Sequence, residues 1–147
     1  MKSTRILEEG FGGGAWHGPD LKAALADVTA ATAHWRPAPD RHSIAEIAVH
    51  HAYCVRSVRG QLSGRDPEPF PLKGEDWFPL SNRTLAWERI RGLVEEQQVK
   101  LGSLVADLET GKVSSPLGAD EREALILGIT GHAIYHAGQI QLLKRLQ

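Results

Sequence analysis

The chain has one cysteine, Cys54, and no long apolar segment. A single cysteine excludes an intrachain disulfide framework. No stretch approaches the roughly 18 consecutive apolar residues of a membrane-spanning helix, so we expect no membrane contact. Residues 1–16 also lack the continuous apolar stretch of a signal peptide. These absences together lead us to expect a cytoplasmic protein.

Lysine and arginine form no run, and the formal net charge is −1. A nucleic-acid-binding surface needs a basic patch, so nucleic acid is not an expected partner. No segment shows the strict apolar–polar alternation of a half-buried strand. With 147 residues, of which 41% are hydrophobic, the chain is long enough for one core. We therefore predict a single domain over residues 1–147.

Apolar residues recur at helical spacing in four segments, which are approximately 19–33, 43–64, 81–111 and 120–147. Residues before Pro19 are not assigned, because the glycine run at 12–14 interrupts any helix begun earlier. Pro19 suits the first position of the first helix. Four helices with two short connections among three predict an all-α four-helix bundle.

Capping signals define the ends of the middle helices. Ser43 and Glu46 form a capping box at the start of the second helix. Gly64 suits the residue just beyond its last turn. Ser81 or Asn82 is predicted to cap the third helix. The second and third helices are therefore separated by a long connection.

This long loop between helices 2 and 3, residues 65–80, exceeds the usual helix–helix connection. Loops of this length inside a compact domain are commonly functional or disordered. Phe70, Trp77 and Phe78 favour a packed loop over a disordered one. We expect the loop to lie over one end of the bundle and to form the wall of a pocket.

The fourth helix carries His132 and His136 in the middle of its apolar stripe. Imidazoles one turn apart share a face, with Cβ atoms about 5–6 Å apart, and a metal ion suits both at once. The alternative is a pair of core histidines that hydrogen-bond to neighbours. Ala133 follows the first histidine where a zincin protease has glutamate, which excludes that motif. A catalytic zinc takes three protein ligands, so a third must come from elsewhere.

The second helix contains two adjacent histidines, His50 and His51. Adjacent helix positions point about 100° apart, so both cannot face one site. Periodicity favours His51, which lies nearest the centre of the apolar stripe. The flanks of a bundle helix are also interior, so His50 stays a candidate. For either residue the alternative is a partly exposed polar side chain.

Four segments of the chain resemble the DinB-like (DinB/YfiT) superfamily, from about residue 6 onward: Trp16–Pro19, Trp35–Pro39, His42–Ile47 with the following His50, and Leu127–Ile140. That superfamily resembles a four-helix bundle with a divalent metal on three histidines, one from the second helix and two from the fourth. The resemblance implies His50, His132 and His136 as the ligands, with zinc or nickel as the first candidate metals. It also leads us to expect a homodimer.

Two positions depart from the superfamily pattern. His51 stands where an apolar residue is usual, and Cys54 stands where an aromatic residue is common. His51 is a candidate to replace or assist His50. Cys54, one turn after His50, is a candidate soft ligand, although a lone buried cysteine more often packs as a small hydrophobe.

Further candidates surround the predicted ligands: Gln139, Tyr135, His17 and Trp77. Gln139 lies one turn beyond the last histidine and is predicted to orient a ligand or a metal-bound water. Tyr135 is expected beside the site. His17 and Trp77 are expected to line its opening, with surface packing as the alternative. His42 is interpreted as an ordinary connector residue.

The resemblance implies two enzymatic functions, thiol S-transfer with a low-molecular-weight thiol or hydrolysis, on a small-molecule substrate. The alternative function is a non-catalytic metal-stabilised bundle that serves as a binding or dimerisation module. An open coordination position favours the enzyme. A closed sphere with Cys54 or His51 as the fourth ligand favours the structural function.

Overall fold

A computed structural model of the chain describes residues 2–81 and 83–147. All regular structure in these ranges is helical, which confirms the all-α prediction; the helices are α1 (Ser3–Gly10), α2 (Leu21–Ala26), α3 (Ala30–His34), α4 (Ile44–Ser63), α5 (Trp87–Glu109) and α6 (Ala119–Arg145). Helix α4 packs against both α5 and α6, while α1 packs against α5 and α6 from the other side. No helix in the described ranges is long and apolar enough to cross a membrane.

The prediction of one continuous first helix over 19–33 is wrong, because the structure divides this segment into α2 and α3. Asp20 caps α2 by accepting a hydrogen bond from the Ala23 amide. Thr29 then provides a second cap, and its hydroxyl accepts from the Thr32 amide at 3.3 Å. The Val28 carbonyl between them is paired with the Trp87 indole N–H at 2.8 Å. A tertiary hydrogen bond therefore stabilises the break between the two helices.

Residues before Pro19 contain a helix that the sequence left unassigned. Helix α1 ends at Gly10, just before the glycine run. Its Leu7 is 5% exposed, so the helix contributes to the core. Only one apolar turn precedes the glycines, and a helix that short is stabilised by tertiary packing more than by its own propensity.

Helix α4 has the two ends that were predicted. The Ser43 side chain accepts from the Glu46 amide at 3.2 Å, and the Glu46 carboxylate accepts from the Ser43 amide at 2.9 Å. Gly64 ends the helix at φ +67°, a left-handed conformation that glycine adopts without strain. These caps fix the register of α4 and hence the direction of each histidine on it.

Helix α5 begins later than predicted. Asn82 lies outside the described residues, and Ser81 does not cap the helix but bonds to Thr84 through its amide and hydroxyl. The first helical residue is Trp87, which is buried and anchors the N-terminal turn. Polar residues after Ser81 resemble caps in sequence, but packing of Trp87 decides where the helix starts. Helix α6 begins at Ala119, one residue before the predicted Asp120.

The connection between α4 and α5, residues 64–86, is attached to the helices at two points. Near its start, the Glu68 carboxylate accepts from Arg59 at 2.9 Å, Gln97 at 3.0 Å and Lys100 at 3.1 Å. Near its end, the Leu80 amide donates to the buried Glu46 carboxylate at 3.1 Å. The segment between these anchors lies against the end of α4 that carries the histidines.

Candidate metal centre

Three histidine rings converge where α4 and α6 pack together. His132 Nε2 lies 3.1 Å from His50 Nε2 and 3.1 Å from His136 Nε2. His50 and His136 are buried, at 7% and 3% exposure, and His132 is partly buried. The structure therefore brings together, through the same ring nitrogen of each, the three histidines that the family resemblance implies.

The opposite nitrogens of two of these rings face oxygen acceptors. His50 Nδ1 lies 2.9 Å from the Asp76 carbonyl oxygen and 3.2 Å from Asp76 Oδ1. His136 Nδ1 lies 2.6 Å from Gln139 Oε1. Carbonyl oxygens and a carboxylate accept only, so each Nδ1 carries the proton. The Nε2 atoms of His50 and His136 therefore carry no proton, and their lone pairs face the point where the three histidine rings converge.

The third ring is paired with another histidine. His132 Nδ1 and His51 Nδ1 are 2.9 Å apart, so one donates to the other. When His132 is the donor, its Nε2 presents a lone pair like those of His50 and His136. Burial and the neighbouring histidines hold the pKa of His51 well below its usual range, so His51 is neutral at physiological pH. The structure thus places His51 behind His132 and directs His50 to the point of convergence.

A cation suits this arrangement better than a proton does. Burial, with the neighbouring histidines, lowers the pKa of His132 to about 4, and burial also lowers the pKa of His136. When His132 carries its proton on Nδ1, the three Nε2 atoms all present lone pairs, and lone pairs 3.1 Å apart repel each other unless a positive charge lies between them. Two imidazole nitrogens bound to one ion at about 2.0–2.1 Å, with an angle of about 90–110°, lie about 2.9–3.4 Å apart. The separations from His132 Nε2 to His50 Nε2 and to His136 Nε2, both 3.1 Å, match that range.

Cys54 lies on the edge of the same cluster. Its Sγ is 3.9 Å from His50 Nε2, and His50, Cys54 and His132 offer ligand atoms that all lie within 4.8 Å of one another. Across a tetrahedral ion, a nitrogen and a thiolate sulfur lie about 3.6 Å apart. Burial first, and the Asp76 carboxylate second, raise the pKa of Cys54 to about 11. His136 Nε2 lies 3.1 Å from His132 Nε2, so both Cys54 and His136 lie near enough to be considered as a third ligand beside His50 and His132.

The long loop contributes two residues directly behind His50. Trp77 stacks on the His50 ring with centroids 3.9 Å apart and planes 5° from parallel. Asp76 has φ +64°, a left-handed conformation that is uncommon for a residue other than glycine. This conformation directs both its carbonyl and its carboxylate to His50 Nδ1. Asp76 was not singled out from the sequence, where its position in the long connection between helices 2 and 3 is the only signal.

His42 is not an ordinary connector residue, and that interpretation was wrong. Its ring stacks on the outer face of Trp77 with centroids 3.7 Å apart and planes 6° from parallel. Trp77 is therefore held between two imidazoles, His42 on one side and His50 on the other. The position of His42 just before the α4 cap does not predict this contact, because Trp77 lies 35 residues further along the chain.

The remaining candidates divide into two groups. Tyr135 lies beside the site, with its ring 5.2 Å from that of His136 and its hydroxyl 3.3 Å from the Gln139 amide nitrogen. His17 lies away from the cluster, where its Nε2 contacts the Glu9 carbonyl at 2.8 Å and its ring borders a separate cavity with Ile134. The structure thus places Tyr135 and Trp77 at the cluster and His17 elsewhere.

A cavity of about 290 Å³ opens beside the cluster. It reaches the histidines at His136 and at Trp77, and Gln139 and Tyr135 also border it. Its far wall is the segment that leads into α4, including Arg41 and His42. The cavity gives a small molecule a route from solvent to the three-histidine cluster.

Comparison with known families gave one result. A sequence model described as the DinB superfamily matches residues 15–140, which include all three converging histidines. No curated protein and no solved structure matched the chain.

Proposed function

Because the chain belongs to the DinB superfamily, we propose that it is a metal-dependent enzyme with a divalent ion on His50, His132 and His136. The supporting observation is the orientation of the rings: three Nε2 atoms converge, while each Nδ1 is occupied by another group. Zinc and nickel are the first candidates, because imidazole is a good ligand for both. The four-helix-bundle arrangement of the superfamily, a cytoplasmic location and a homodimer are parts of the same proposal.

The reaction that we propose is thiol S-transfer or hydrolysis on a small-molecule substrate. A bound ion would lower the pKa of a water molecule or of a low-molecular-weight thiol, which makes either a better nucleophile at neutral pH. Three protein ligands leave a position for that nucleophile. The cavity at His136 and Trp77 supplies the access that a substrate needs.

The residues around the histidines have positioning roles in this proposal. Asp76 and Gln139 hold the protons on Nδ1 of His50 and His136, and His51 does the same for His132. Such outer contacts orient a ligand ring and increase its basicity. Glu46 is not available as a general base, because its carboxylate already accepts from Ser43, Arg36 and Leu80.

The alternative is a non-catalytic metal-stabilised bundle, and one observation favours it. Cys54 Sγ lies close enough to His50 and His132 to become a fourth ligand after a small side-chain rotation. Four protein ligands would close the coordination sphere, as in structural zinc sites. The protein would then serve as a binding or dimerisation module.

Metal content tests the three-histidine site. Protein purified without a histidine tag is analysed for bound metals in the wild type and in separate His50→Ala, His136→Ala and His51→Ala variants. We expect about one ion per chain in the wild type, loss in the first two variants, and weakened binding in His51→Ala. His34→Ala, which alters a histidine outside the cluster, is the matched control. Full occupancy in His136→Ala would contradict the proposed ligand set.

Cobalt substitution separates the enzyme from the structural alternative. A thiolate ligand to Co²⁺ gives a near-ultraviolet charge-transfer band, which Cys54→Ala would remove. We expect the cobalt spectrum of wild type and Cys54→Ala to be the same, with a water exchangeable for azide. A thiolate band that disappears with Cys54 would support the closed structural site instead.

A further inference from the structure

The cavity beside the three-histidine cluster has walls of two chemical kinds. One lip is apolar and exposed: Tyr135 and Leu142, two turns apart on α6, are 65% and 60% exposed. The floor is formed by Ile47 and Leu143, both buried. Ligand sites commonly combine a mostly apolar lining with a few polar groups that fix orientation. The apolar lip and floor can therefore receive the hydrocarbon part of a ligand.

Within the described part of the chain, Arg41 is the one charged residue that lines this cavity. Its guanidinium contacts Asp40 at 2.9 Å, but both side chains are largely exposed. An exposed pair of this kind contributes little, at most about 1 kcal/mol. Arg41 can therefore exchange Asp40 for a ligand anion at small cost.

The backbone of Arg41 is held in place although its side chain is exposed. Arg36 donates to the Arg41 carbonyl oxygen at 2.9 Å. The same guanidinium donates to the buried Glu46 carboxylate at 2.6 Å, which ties the segment to the N-terminal cap of α4. The neighbouring His42 is fixed by its stack on Trp77. Arg41 thus projects from a rigid base at the mouth of the cavity.

From these observations we infer that the cavity binds an organic anion, a carboxylate on a short aryl or alkyl body. Arg41 binds the carboxylate, and the body lies between Tyr135, Leu142 and the Trp77 stack, with its other end toward His136. The cavity volume lies near the lower limit of common ligand sites, about 300 Å³, which favours a metabolite-sized molecule. This inference rests on the proposed function, because it assigns a substrate class to the same site.

Binding of matched acids and amides tests the inference. Benzoate and hexanoate are compared with benzamide and hexanamide by calorimetry, on metal-free and zinc-loaded protein. The variants are wild type, Arg41→Gln, and Arg89→Gln as a control of equal charge change on an exposed face of α5. We expect each acid to bind wild type roughly fivefold more tightly than its amide, the ratio that about 1 kcal/mol provides. The preference should vanish in Arg41→Gln and persist in Arg89→Gln.

The result separates failure of this inference from failure of the proposed function. Equal binding of acid and amide to wild type, or no binding of either acid, overturns the anion site. A preference that wild type shows only when loaded with zinc, and that survives Arg41→Gln there, also overturns it, because the carboxylate then binds the metal. A preference that depends on Arg41 in metal-free protein supports the anion site even if metal analysis rejects the metalloenzyme.

Discussion

Replacement of Asp76 tests how far the long loop controls metal binding. Asp76 presents two acceptors to His50 Nδ1, its carbonyl at 2.9 Å and its carboxylate at 3.2 Å. Asp76→Gly removes the carboxylate and tolerates the positive φ of this position. Loss of an outer contact to a ligand weakens metal affinity by about 10–100-fold. The carbonyl remains as an acceptor, so we expect zinc to bind about tenfold more weakly, the lower end of that range.

Two further variants separate the effect of the Asp76 charge from the effect of the positive φ at this position. Asp76→Asn keeps an oxygen acceptor but no charge, so its loss of zinc affinity should be smaller than that of the glycine variant. Asp76→Ala should weaken zinc binding like glycine and also destabilise the metal-free protein by up to about 1 kcal/mol, since alanine is disfavoured at positive φ. Competition with a chromophoric chelator gives the dissociation constants, and urea unfolding gives the stabilities. Wild-type zinc affinity in Asp76→Gly would refute the reasoning.

Three other outcomes follow from the same contacts. Trp77→Ala removes the ring stacked on His50, so zinc should dissociate several-fold faster into excess chelator, whereas Trp77→Phe should keep a rate near wild type. Because burial lowers the pKa of His132 to about 4 and an unfolded histidine titrates near about 6.5, the unfolded chain binds more protons between these values. Metal-free protein should therefore be most stable above about pH 7 and lose stability as the pH falls toward about 4. Urea unfolding midpoints measured across this pH range test the expectation. If His132→Gln showed the same dependence of stability on pH as wild type, the dependence would not come from His132. Glu68→Gln weakens the charged contacts to Arg59 and should lower the free energy of unfolding by about 1 kcal/mol, and an unchanged urea midpoint would show that this anchor does not hold the loop.

Local sequence signals were sufficient where a contact is made within one helix. The Ser43–Glu46 box and Gly64 fixed both ends of α4 because each cap joins residues only three or four positions apart. The spacing of His132 and His136 likewise follows from one helical turn. These features need no knowledge of the rest of the chain.

Choice of the residue from α4 needed more than periodicity. The helical wheel favours His51, which is the more buried of the pair at 1% exposure. Its burial is real, but it comes from packing behind His132 and not from facing the point of convergence. A wheel measures distance from the apolar centre, and it cannot distinguish a side chain at a site from one that supports it. The family resemblance implies His50, whose Nε2 lies 3.1 Å from His132 Nε2.

Contacts between distant segments were beyond the sequence. Asp76 reaches His50 across 26 residues, and His42 reaches Trp77 across 35. Neither has a periodic pattern or a motif, because loop conformation depends on tertiary packing. The break between α2 and α3 has the same origin, since the buried Val28 carbonyl at the break accepts a hydrogen bond from Trp87 in another helix. Long-range contacts, which include both hydrogen bonds and ring stacking, thus account for these three features.

The two anchors of the 64–86 connection have a consequence for how such a centre can diversify. Glu68 and Leu80 attach the loop to helices at points outside the histidine cluster. The stretch between them, 69–79, carries Asp76 and Trp77 but no proposed ligand. The residues of this stretch other than Asp76 and Trp77 can change while those two keep their contacts with His50. Exchange of this stretch between relatives, with Asp76 and Trp77 included, would change the contacts behind His50 and, in the proposed metal centre, the affinity for the ion, with the helices left intact.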